Sequence, residues 1–352
     1  MGISISDGSV KDSGLLPSTF VFELTRRCNN ECLYCYNVWR APGALYHSGS
    51  DDEMTLDELR EVIIKLQAET PVERIALSGG EPLLRKDLPE IIEFIQSRNI
   101  DLLLLTNGTL LTPEFIESTS KGVTYELPLL STRREIHDRI VGHPGAWDAV
   151  VEAFLDIHAT GIPFSAVFVA TAFNWQELHA TALMAMMSGA SELLYKRVNM
   201  GGANLSADKG LFVTPSMIAS NLEALDAVSE QYGFRVRADV VIEPCVVDIR
   251  RYKHVHFGFC PLAGSHSAFV IDPCGNVRIC EHSPKILGNI KRDSFREMYH
   301  HPYAQDFRSV LPVECIDCPD EFLHLCRGGC KAAAAQSCGV DNGLDPFIKM
   351  NR

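Results

Sequence analysis

Three cysteines lie within eight residues near the start of the chain, in the stretch RRCNNECLYCYN. Cys28, Cys32 and Cys35 offer three thiolates, one fewer than a closed four-coordinate zinc site needs. Three thiolates can instead hold a cubane iron–sulfur cluster, each on its own iron, and the fourth iron is then free for another ligand. The spacing therefore predicts a cluster with one open coordination position.

The chain of 352 residues contains twelve cysteines, and nine of them lie between Cys245 and Cys338. No segment has the pattern of a secretory signal or a membrane span, so the cytoplasm is the expected compartment. In a reducing compartment, cysteines in this number favour metal or redox chemistry over disulfides. The net charge of −13 argues against nucleic acid as a partner, because phosphate contacts need clustered Lys and Arg.

Apolar runs of strand length alternate with amphipathic helices between the two groups of cysteines. The predicted helices begin at recognisable caps, such as Thr55 with Glu58, and Thr112 before Pro113. The runs are apolar throughout rather than alternating, which indicates a parallel sheet covered on both faces. The first six predicted strands span residues 19–24, 74–78, 101–105, 124–130, 164–170 and 192–198.

This alternation predicts an α/β fold, an open or closed barrel of β/α units, whose chemistry gathers on the loops after the strands. The three-cysteine loop, Gly79–Glu81 and Thr106–Gly108 all follow predicted strands. From about residue 257 the sequence pattern changes to short predicted strands, turns and cysteines. The expected organisation is a tail over 1–18, a barrel with a bridging region over 19–256 and a cysteine-rich domain over 257–352.

The C-x3-C-x2-C spacing, with Tyr34 just before the last cysteine, resembles the signature of the radical S-adenosylmethionine (SAM) enzymes. The resemblance covers most of the chain and implies a partial (β/α)6 barrel of the TIM type. It also implies that Cys28, Cys32 and Cys35 hold a [4Fe–4S] cluster whose open iron is chelated by SAM. Reductive cleavage of SAM then yields a 5′-deoxyadenosyl radical that abstracts hydrogen from the substrate. A partial zinc site is the alternative that the spacing alone leaves open.

The same resemblance implies contacts to SAM at the ends of several strands. LSGGEPLL is similar to the loop that hydrogen-bonds the SAM amino group, and its glycines permit close backbone approach. LLLLTNGTLL and RVNMGGAN resemble the third-strand and sixth-strand segments of the family. The predicted cofactor-binding residues from these motifs are Tyr34, Gly79, Gly80, Glu81, Thr106, Asn107, Asn199 and Gly201.

One stretch departs from the family pattern. Aligned on His137–Asp138, this chain has Leu129 where relatives commonly have a Ser, and Val141 where they have an Arg. Both of those residues usually help to hold SAM. The hypothesis is that nearby polar residues take their place, and the candidates are Ser131, Arg134 and Arg139.

The C-terminal cysteines follow the seven-cysteine order of the SPASM extension, which binds auxiliary clusters. CRGGC and LGNI add to the resemblance, whereas the gap from Cys318 to Cys326 is seven residues instead of five. By resemblance, one auxiliary [4Fe–4S] cluster is bound by Cys315, Cys318, Cys326 and Cys338. A second, inner cluster is bound by Cys260, Cys280 and Cys330, so that three clusters are expected in all. Two zinc sites are the alternative, because Cys-x2-Cys knuckles often bind zinc.

The inner auxiliary cluster has three assigned thiolates, and its fourth ligand stays open. Cys274, His266 and Cys245 are the candidates in the chain. An iron left open for the substrate is the remaining alternative. Glu281 and His282, directly after Cys280, are candidate acid/base groups.

The predicted function is a net oxidation begun by hydrogen abstraction: crosslink formation, dehydrogenation or oxidative decarboxylation, with the auxiliary clusters accepting an electron. By resemblance, the substrate is a peptide in post-translational maturation. The alternatives are a small-molecule enzyme, such as a tetrapyrrole side-chain decarboxylase in haem biosynthesis, and a non-catalytic iron–sulfur carrier.

The expected partners follow from this chemistry. Reductive cleavage needs an external one-electron donor of the flavodoxin or ferredoxin type. The 18 residues before the first strand are too few for a leader-binding winged helix, so a separate peptide-recognition protein or a leaderless substrate is expected. No nucleic acid and no membrane is expected as a partner.

Overall fold

The computed structural model describes residues 16–44, 53–119, 122–207, 209–260 and 268–351. Residues 1–15 of the predicted tail and the ligand candidate His266 lie outside these ranges. The strands of the described part belong to one sheet. They are β1 (Thr19–Glu23), β2 (Arg74–Ser78), β3 (Asp101–Leu105), β4 (Val123–Pro128), β5 (Phe164–Ala170), β6 (Glu192–Arg197), β7 (Arg235–Ala238), β8 (Val255–Phe257), β9 (Ala268–Ile271), β10 (Asn276–Arg278) and β11 (Ile286–Asn289).

The order across the sheet is β11-β10-β9-β1-β2-β3-β4-β5-β6-β7-β8. Every neighbouring pair from β9 to β8 is parallel, whereas β10 runs antiparallel to both β9 and β11. Phe22 of β1 lies opposite Leu77 on one side and Ile271 on the other. In the described part β8 and β11 are the two edges of the sheet, with no ladder between them. The α/β partial barrel predicted from the sequence is therefore confirmed, and it is open.

Helices connect the strands and cover the sheet. They are α1 (Leu56–Glu69), α2 (Leu88–Ser97), α3 (Pro113–Thr119), α4 (Arg134–Val141), α5 (Ala146–Thr160), α6 (Leu178–Met187), α7 (Pro215–Tyr232), α8 (Phe295–Tyr299), α9 (Pro302–Ser309), α10 (Asp320–Cys326), α11 (Lys331–Cys338) and α12 (Pro346–Asn351). The capping box at α1 is present, since the Glu58 backbone N–H donates to Thr55 Oγ1 at 3.3 Å and the Thr55 N–H to Glu58 Oε2 at 2.8 Å. No described helix is long and apolar enough to cross a membrane.

The cysteine-rich end of the chain packs directly on the first strand. The boundary predicted at residue 257 falls at the last residue of β8, and β9 extends the sheet of the barrel. The ring of Phe295 in α8 meets both Phe20 of β1 and Phe269 of β9 edge-on, with centroids 5.1 Å apart in each case. All three rings are fully buried in the main apolar core. The two ends of the sequence therefore share one core.

Candidate active site

A cavity of about 410 Å³ opens at the carboxyl ends of the parallel strands. This is where β/α barrels place their chemistry, because the loops after the strands converge there. Another cavity, of about 520 Å³, lies at the opposite end, where Arg74 and Asp101 begin their strands. The first cavity is lined by Cys28, Asn30, Cys32, Tyr34, Cys35, Tyr36, Asn37, Arg40, Ser78, Gly79, Gly80, Leu105, Thr106, Asn107, Glu126, Pro128, Val167, Val169, Lys196, Arg197, Val198, Asn199, Asp239, Val240, Val241, Phe259, Cys260, Cys280, Glu281, His282 and Cys330.

The three-cysteine loop is held in place by α4, a helix that the sequence patterns did not predict. The backbone N–H groups of Glu31 and Leu33 donate to the carbonyls of Val141 and Ile140 at 3.0 and 2.9 Å. Those carbonyls belong to the last turn of α4, where no intrahelical partner exists. The free end of α4 thus fixes the loop that carries the thiols.

The three thiols face the cavity close to one another. Burial raises the pKa of Cys32 to about 12, and the neighbouring Cys35 and Cys28 add to that rise. Arg40 opposes it and is hydrogen-bonded to the Cys35 thiol. Without a metal Cys32 is held as a thiol, so bound iron must supply the positive charge that ionises it. Three soft donors with a cation beside them fit an anionic iron–sulfur cluster.

The Gly79–Glu81 turn presses against the backbone that leads into the three-cysteine loop. The Gly80 N–H donates to the Thr25 carbonyl at 2.7 Å, and the Glu81 N–H donates to the Arg27 carbonyl at 2.8 Å. A Cβ atom on Gly80 would overlap that Arg27 carbonyl, and one on Gly79 would lie 2.5 Å from the Thr25 oxygen. The glycines are therefore required for the cysteine loop to sit where it does, and both also line the cavity.

Glu81 is fully buried beneath the cavity wall. Its carboxylate accepts hydrogen bonds from Thr106 Oγ1 at 2.7 Å, the Asn107 N–H at 2.8 Å and the Leu83 N–H at 3.1 Å. Burial nevertheless raises the pKa of Glu81 to about 7, because it outweighs these three donors. Thr106 and Asn107 are among the described residues that line the cavity, whereas Glu81 is not. Glu81 therefore positions the end of β3.

Three other predicted SAM-binding residues lie at different depths. Tyr34 lines the cavity with its hydroxyl hydrogen-bonded to the Cys32 thiol, and Asn199 lines the opposite wall. Gly201 is outside the lining; a Cβ there would lie 2.7 Å from Nε2 of Gln336. Gly201 therefore packs the loop after β6 against α11.

The three residues proposed to replace the missing Ser and Arg point elsewhere. The Ser131 hydroxyl donates to Glu177 Oε2 at 3.2 Å, and the exposed Arg139 lies over the ring of Phe173 at 4.7 Å. Arg134 pairs with Asp148 at 2.7 Å. None of them is among the described residues lining the cavity. Their contact with SAM stays a prediction.

The inner set of C-terminal cysteines opens onto the same cavity as the three-cysteine loop. Cys260, Cys280 and Cys330 all line it. Burial raises the pKa of Cys260 to about 12 and that of Cys280 to about 11, and Cys280 contributes to the rise at Cys260. Three mutually close thiols in a water-poor pocket again fit an iron–sulfur cluster.

The outer set lies away from the cavity. Cys315 and Cys318 form a turn, with the Cys318 N–H donating to the Cys315 carbonyl at 3.2 Å, and both join an apolar cluster with Leu344 and Ile348. Cys326 is buried at the end of α10, whereas Cys338 is exposed at the end of α11. The four residues stay predicted ligands of the outer cluster.

Two candidates for the fourth ligand of the inner cluster, Cys274 and Cys245, are not among the described residues that line the cavity, and their role stays a prediction. Cys274 is in the β9–β10 turn, where Arg26 Nη2 donates to its sulfur at 3.2 Å. Cys245 is exposed and lies close to Cys326 of the outer set. Burial raises the pKa of Cys326, and the neighbouring Glu243 and Cys245 add to that rise. All twelve cysteines fall within the described residues.

Sequence reasoning missed a charged group on the cavity wall. Lys196 Nζ lies 3.8 Å from Glu126 Oε2 and 3.5 Å from Asp239 Oδ2. Glu126 and Lys196 lie in the second halves of β4 and β6, and Asp239 directly follows β7. A charge near the carboxyl end of an otherwise apolar run was the available signal. Tyr36 stacks on the candidate acid/base residue His282 at 4.0 Å, so the first cysteine loop touches the segment after Cys280.

Two family models match the chain. The Radical SAM superfamily model matches residues 22–185, and the model of the SPASM iron–sulfur cluster-binding domain matches residues 260–319. The first spans the three-cysteine loop and β1–β5, and the second spans Cys260, Cys280, Cys315 and Cys318. Both imply [4Fe–4S] clusters, and the first implies SAM.

Similar proteins cover nearly the whole chain. The AdoMet-dependent heme synthase of Methanosarcina barkeri is 27% identical over 351 residues, covering 94% of this chain and 96% of that protein. The PqqA peptide cyclase of Bradyrhizobium diazoefficiens is 26% identical over 349 residues, covering 96% and 87%.

Solved structures share the fold. Streptococcus suis SuiB bound to S-adenosylmethionine superposes with a TM-score of 0.69 at 13% identity, over 94% of this chain and 77% of that one. Polyhistidine-tagged anSMEcpe with bound AdoMet gives a TM-score of 0.72 at 18% identity, over 95% and 94%. The two family models and the similar enzymes show that the chain is an enzyme with a Radical SAM domain followed by a SPASM domain, and the solved structures share its fold.

Proposed function

We propose that this enzyme cleaves SAM reductively and completes a net oxidation of a peptide substrate: a crosslink, a dehydrogenation or a decarboxylation. The observation that carries the proposal is the shared cavity, which is lined both by Cys28, Cys32 and Cys35 and by Cys260, Cys280 and Cys330. A substrate bound in this cavity is exposed to both sets. When bound, the first cluster and SAM supply the radical that abstracts hydrogen, and the auxiliary clusters supply electron acceptors.

The protein's own residues orient these groups. Gly79 and Gly80 bring the end of β2 against the cysteine loop, and Glu81 fixes the Thr106 hydroxyl and the Asn107 backbone at the cavity wall. Asn199 faces them from the end of β6. Preorganised polar groups of this kind hold a cofactor without reorganisation during the reaction.

Two substrate classes follow from the relatives. The similarity to PqqA peptide cyclases supports a peptide, in the manner of ribosomal peptide maturation. The similarity to a heme synthase, which covers 96% of that protein, supports the second candidate, a tetrapyrrole side-chain decarboxylation. An external one-electron donor is part of either proposal, and a separate peptide-recognition protein is part of the first. The cytoplasm is the proposed compartment, because twelve cysteines with the spacing of metal ligands suit a reducing one.

The test is anaerobic reconstitution of the full chain with iron and sulfide, followed by dithionite and SAM. Three [4Fe–4S] clusters give about twelve irons per chain, and reductive cleavage gives 5′-deoxyadenosine. Zinc in place of iron, or iron without 5′-deoxyadenosine, contradicts the proposal.

The reconstituted enzyme is then offered short peptides encoded beside its gene and, separately, an iron coproporphyrin. A peptide product that has lost hydrogen atoms supports the first substrate class. Loss of carbon dioxide from the porphyrin assigns the second class instead.

A further inference from the structure

Arg197 joins three distant segments of the chain in the buried wall of the cavity. It is the last residue of β6, and its side chain is 1% exposed. Its Nη2 atom lies 2.7 Å from Glu243 Oε1 and 2.7 Å from Asp345 Oδ2. Both carboxylates are buried as fully as the guanidinium. The cluster thus links the barrel, the bridging segment and the C-terminal segment.

The other edge of the guanidinium faces the barrel. Its Nη1 atom donates to Asn199 Oδ1 at 2.7 Å, and its Nε atom donates to the Val241 carbonyl at 3.2 Å. Asn199 is the predicted SAM contact at the end of β6. The plane of Arg197 also stacks on the ring of Phe347 at 4.6 Å. Its orientation is therefore fixed from every side.

Asp345 carries the connection onward to a cluster ligand. The same Oδ2 atom accepts the Cys330 N–H at 2.7 Å, and the Asp345 N–H donates to the Gly328 carbonyl at 3.0 Å. A Cβ on Gly329, whose φ is +75°, would lie 2.5 Å from Asp345 Cβ and 2.6 Å from Glu243 Oε1. The turn before Cys330 is thus pressed against the two carboxylates, with no room for a side chain.

We propose that Arg197, Asp345 and Glu243 act as positioning residues, which fix the Cys330 thiol of the inner auxiliary site against the SAM side of the cavity. The inference rests on the proposed function for the identity of that site. A buried ion cluster is a weak source of stability, because the desolvation of its charges offsets their attraction. It is instead effective in specifying one geometry, and here it specifies the distance between Asn199 and Cys330.

The test uses the reconstituted full-length enzyme and two substitutions at Asp345. Asp345→Ala removes both the hydrogen bond to Cys330 and the countercharge, so we expect the loss of about four of the irons that the wild type binds. Asp345→Asn keeps a hydrogen-bond acceptor but removes the charge. We expect it to bind the full iron complement and to shift the midpoint potential of one auxiliary cluster to a more positive value, because the negative charge beside Cys330 is lost while Arg197 keeps its partner Glu243.

Asp87→Asn is the matched control, because Asp87 balances the buried Arg85 at 2.6 Å and neither residue is among the described residues that line the cavity. It is expected to keep both iron content and potentials. Full iron in Asp345→Ala, or an unshifted potential in Asp345→Asn, overturns the inference; the second readout holds even if Asp345→Ala fails to fold. A wild type that takes up only about four irons also overturns it while leaving SAM cleavage intact. Full iron without 5′-deoxyadenosine instead removes the proposed function alone.

Discussion

The two ends of the chain build their cysteine sites by different means. The N-terminal site is a single loop after β1, tied to the end of α4 and to the glycine turn after β2. The C-terminal sites draw their thiols from strand ends, short helices and turns spread over residues 260–338. The N-terminal site is a loop that extends a regular sheet, whereas the C-terminal sites are assembled from irregular segments.

The difference has a consequence for stability. The backbone hydrogen bonds that hold the first site come from the barrel region, between Thr25 and Ala203, and the C-terminal segment adds the stack of His282 on Tyr36. The inner C-terminal site depends on the barrel as well, because Arg197, bonded to Asn199, reaches Cys330 through Asp345. We infer that damage to the barrel affects both sites, whereas damage to the C-terminal segment affects its own sites most.

The largest expected effect is the loss of SAM cleavage in Cys32→Ala. Two thiolates cannot hold the first cluster, so 5′-deoxyadenosine formation should fall by at least about a thousandfold, while about eight auxiliary irons remain. Chromatography of the nucleoside and an iron count measure both. Retained cleavage in this variant would show that the loop is not the site of chemistry.

The reciprocal substitution, Cys280→Ala, separates the two ends. It removes a ligand of the inner auxiliary site and leaves the first loop untouched, so SAM cleavage should continue while substrate oxidation stops. Product analysis beside the nucleoside assay reads out the two reactions. If both reactions stop together although the first cluster is still present by its electron paramagnetic resonance (EPR) signal, the two sites are not independent in the way proposed.

Gly80→Ala tests whether the barrel end sets the first site. Its added methyl would overlap the Arg27 carbonyl, so the free energy of unfolding of the metal-free chain should fall by about 3 kcal/mol. Gly145→Ala is the control: nothing lies within 4 Å of the added Cβ, and only its φ of +85° opposes the change, at about 1 kcal/mol. Equal urea midpoints for the two variants would contradict the close approach.

Glu81→Gln tests the same wall through pH. The folded-state pKa of about 7 exceeds the usual 4.5, so folding favours the protonated carboxyl between these values. Stability contributed by that proton is present below pH 4.5 and is lost as the pH rises through 7. The wild type should therefore lose up to about 3 kcal/mol relative to Glu81→Gln between about pH 4.5 and 8. Parallel pH profiles of urea unfolding for the two chains would disprove this.

The smallest effect is expected for Arg139→Ala. Its guanidinium is exposed over Phe173 and lies outside the cavity lining. The substitution removes an exposed cation–π pair of about 0.5 kcal/mol, so SAM affinity should change by less than about twofold. Equilibrium dialysis against the reconstituted protein measures it. A tenfold loss would restore Arg139 as a SAM contact and place α4 in the binding site.

Local pattern sufficed for the regular part of this fold. β2, β3 and β5 have the predicted bounds because each apolar run is closed by residues such as Gly79 or Asn107 that cannot continue it. α4 was not predicted because RREIHDRIV carries few apolar residues and therefore shows no clear helical periodicity. Hydrogen bonds to the cysteine loop stabilise this helix, so tertiary contacts and not local propensity determine it.

The site was predictable to the same extent. Cysteine spacing identified the thiols, and a family resemblance identified the glycine turn. No local signal could connect Arg197 with Asp345, which is 148 residues away, or place β9 beside β1. Nor did any pattern indicate that Glu81 faces Thr106 and Asn107 instead of the cavity, since that depends on the burial of one side chain.

The central claim is that the cluster on the first loop leaves one iron without a protein ligand. Electron–nuclear double resonance on the reduced enzyme, with SAM labelled at its amino nitrogen and carboxylate oxygen, tests it most directly. We predict magnetic coupling from both labels to the cluster. A reduced cluster whose spectrum shows neither coupling, or a first loop that holds zinc, would contradict it.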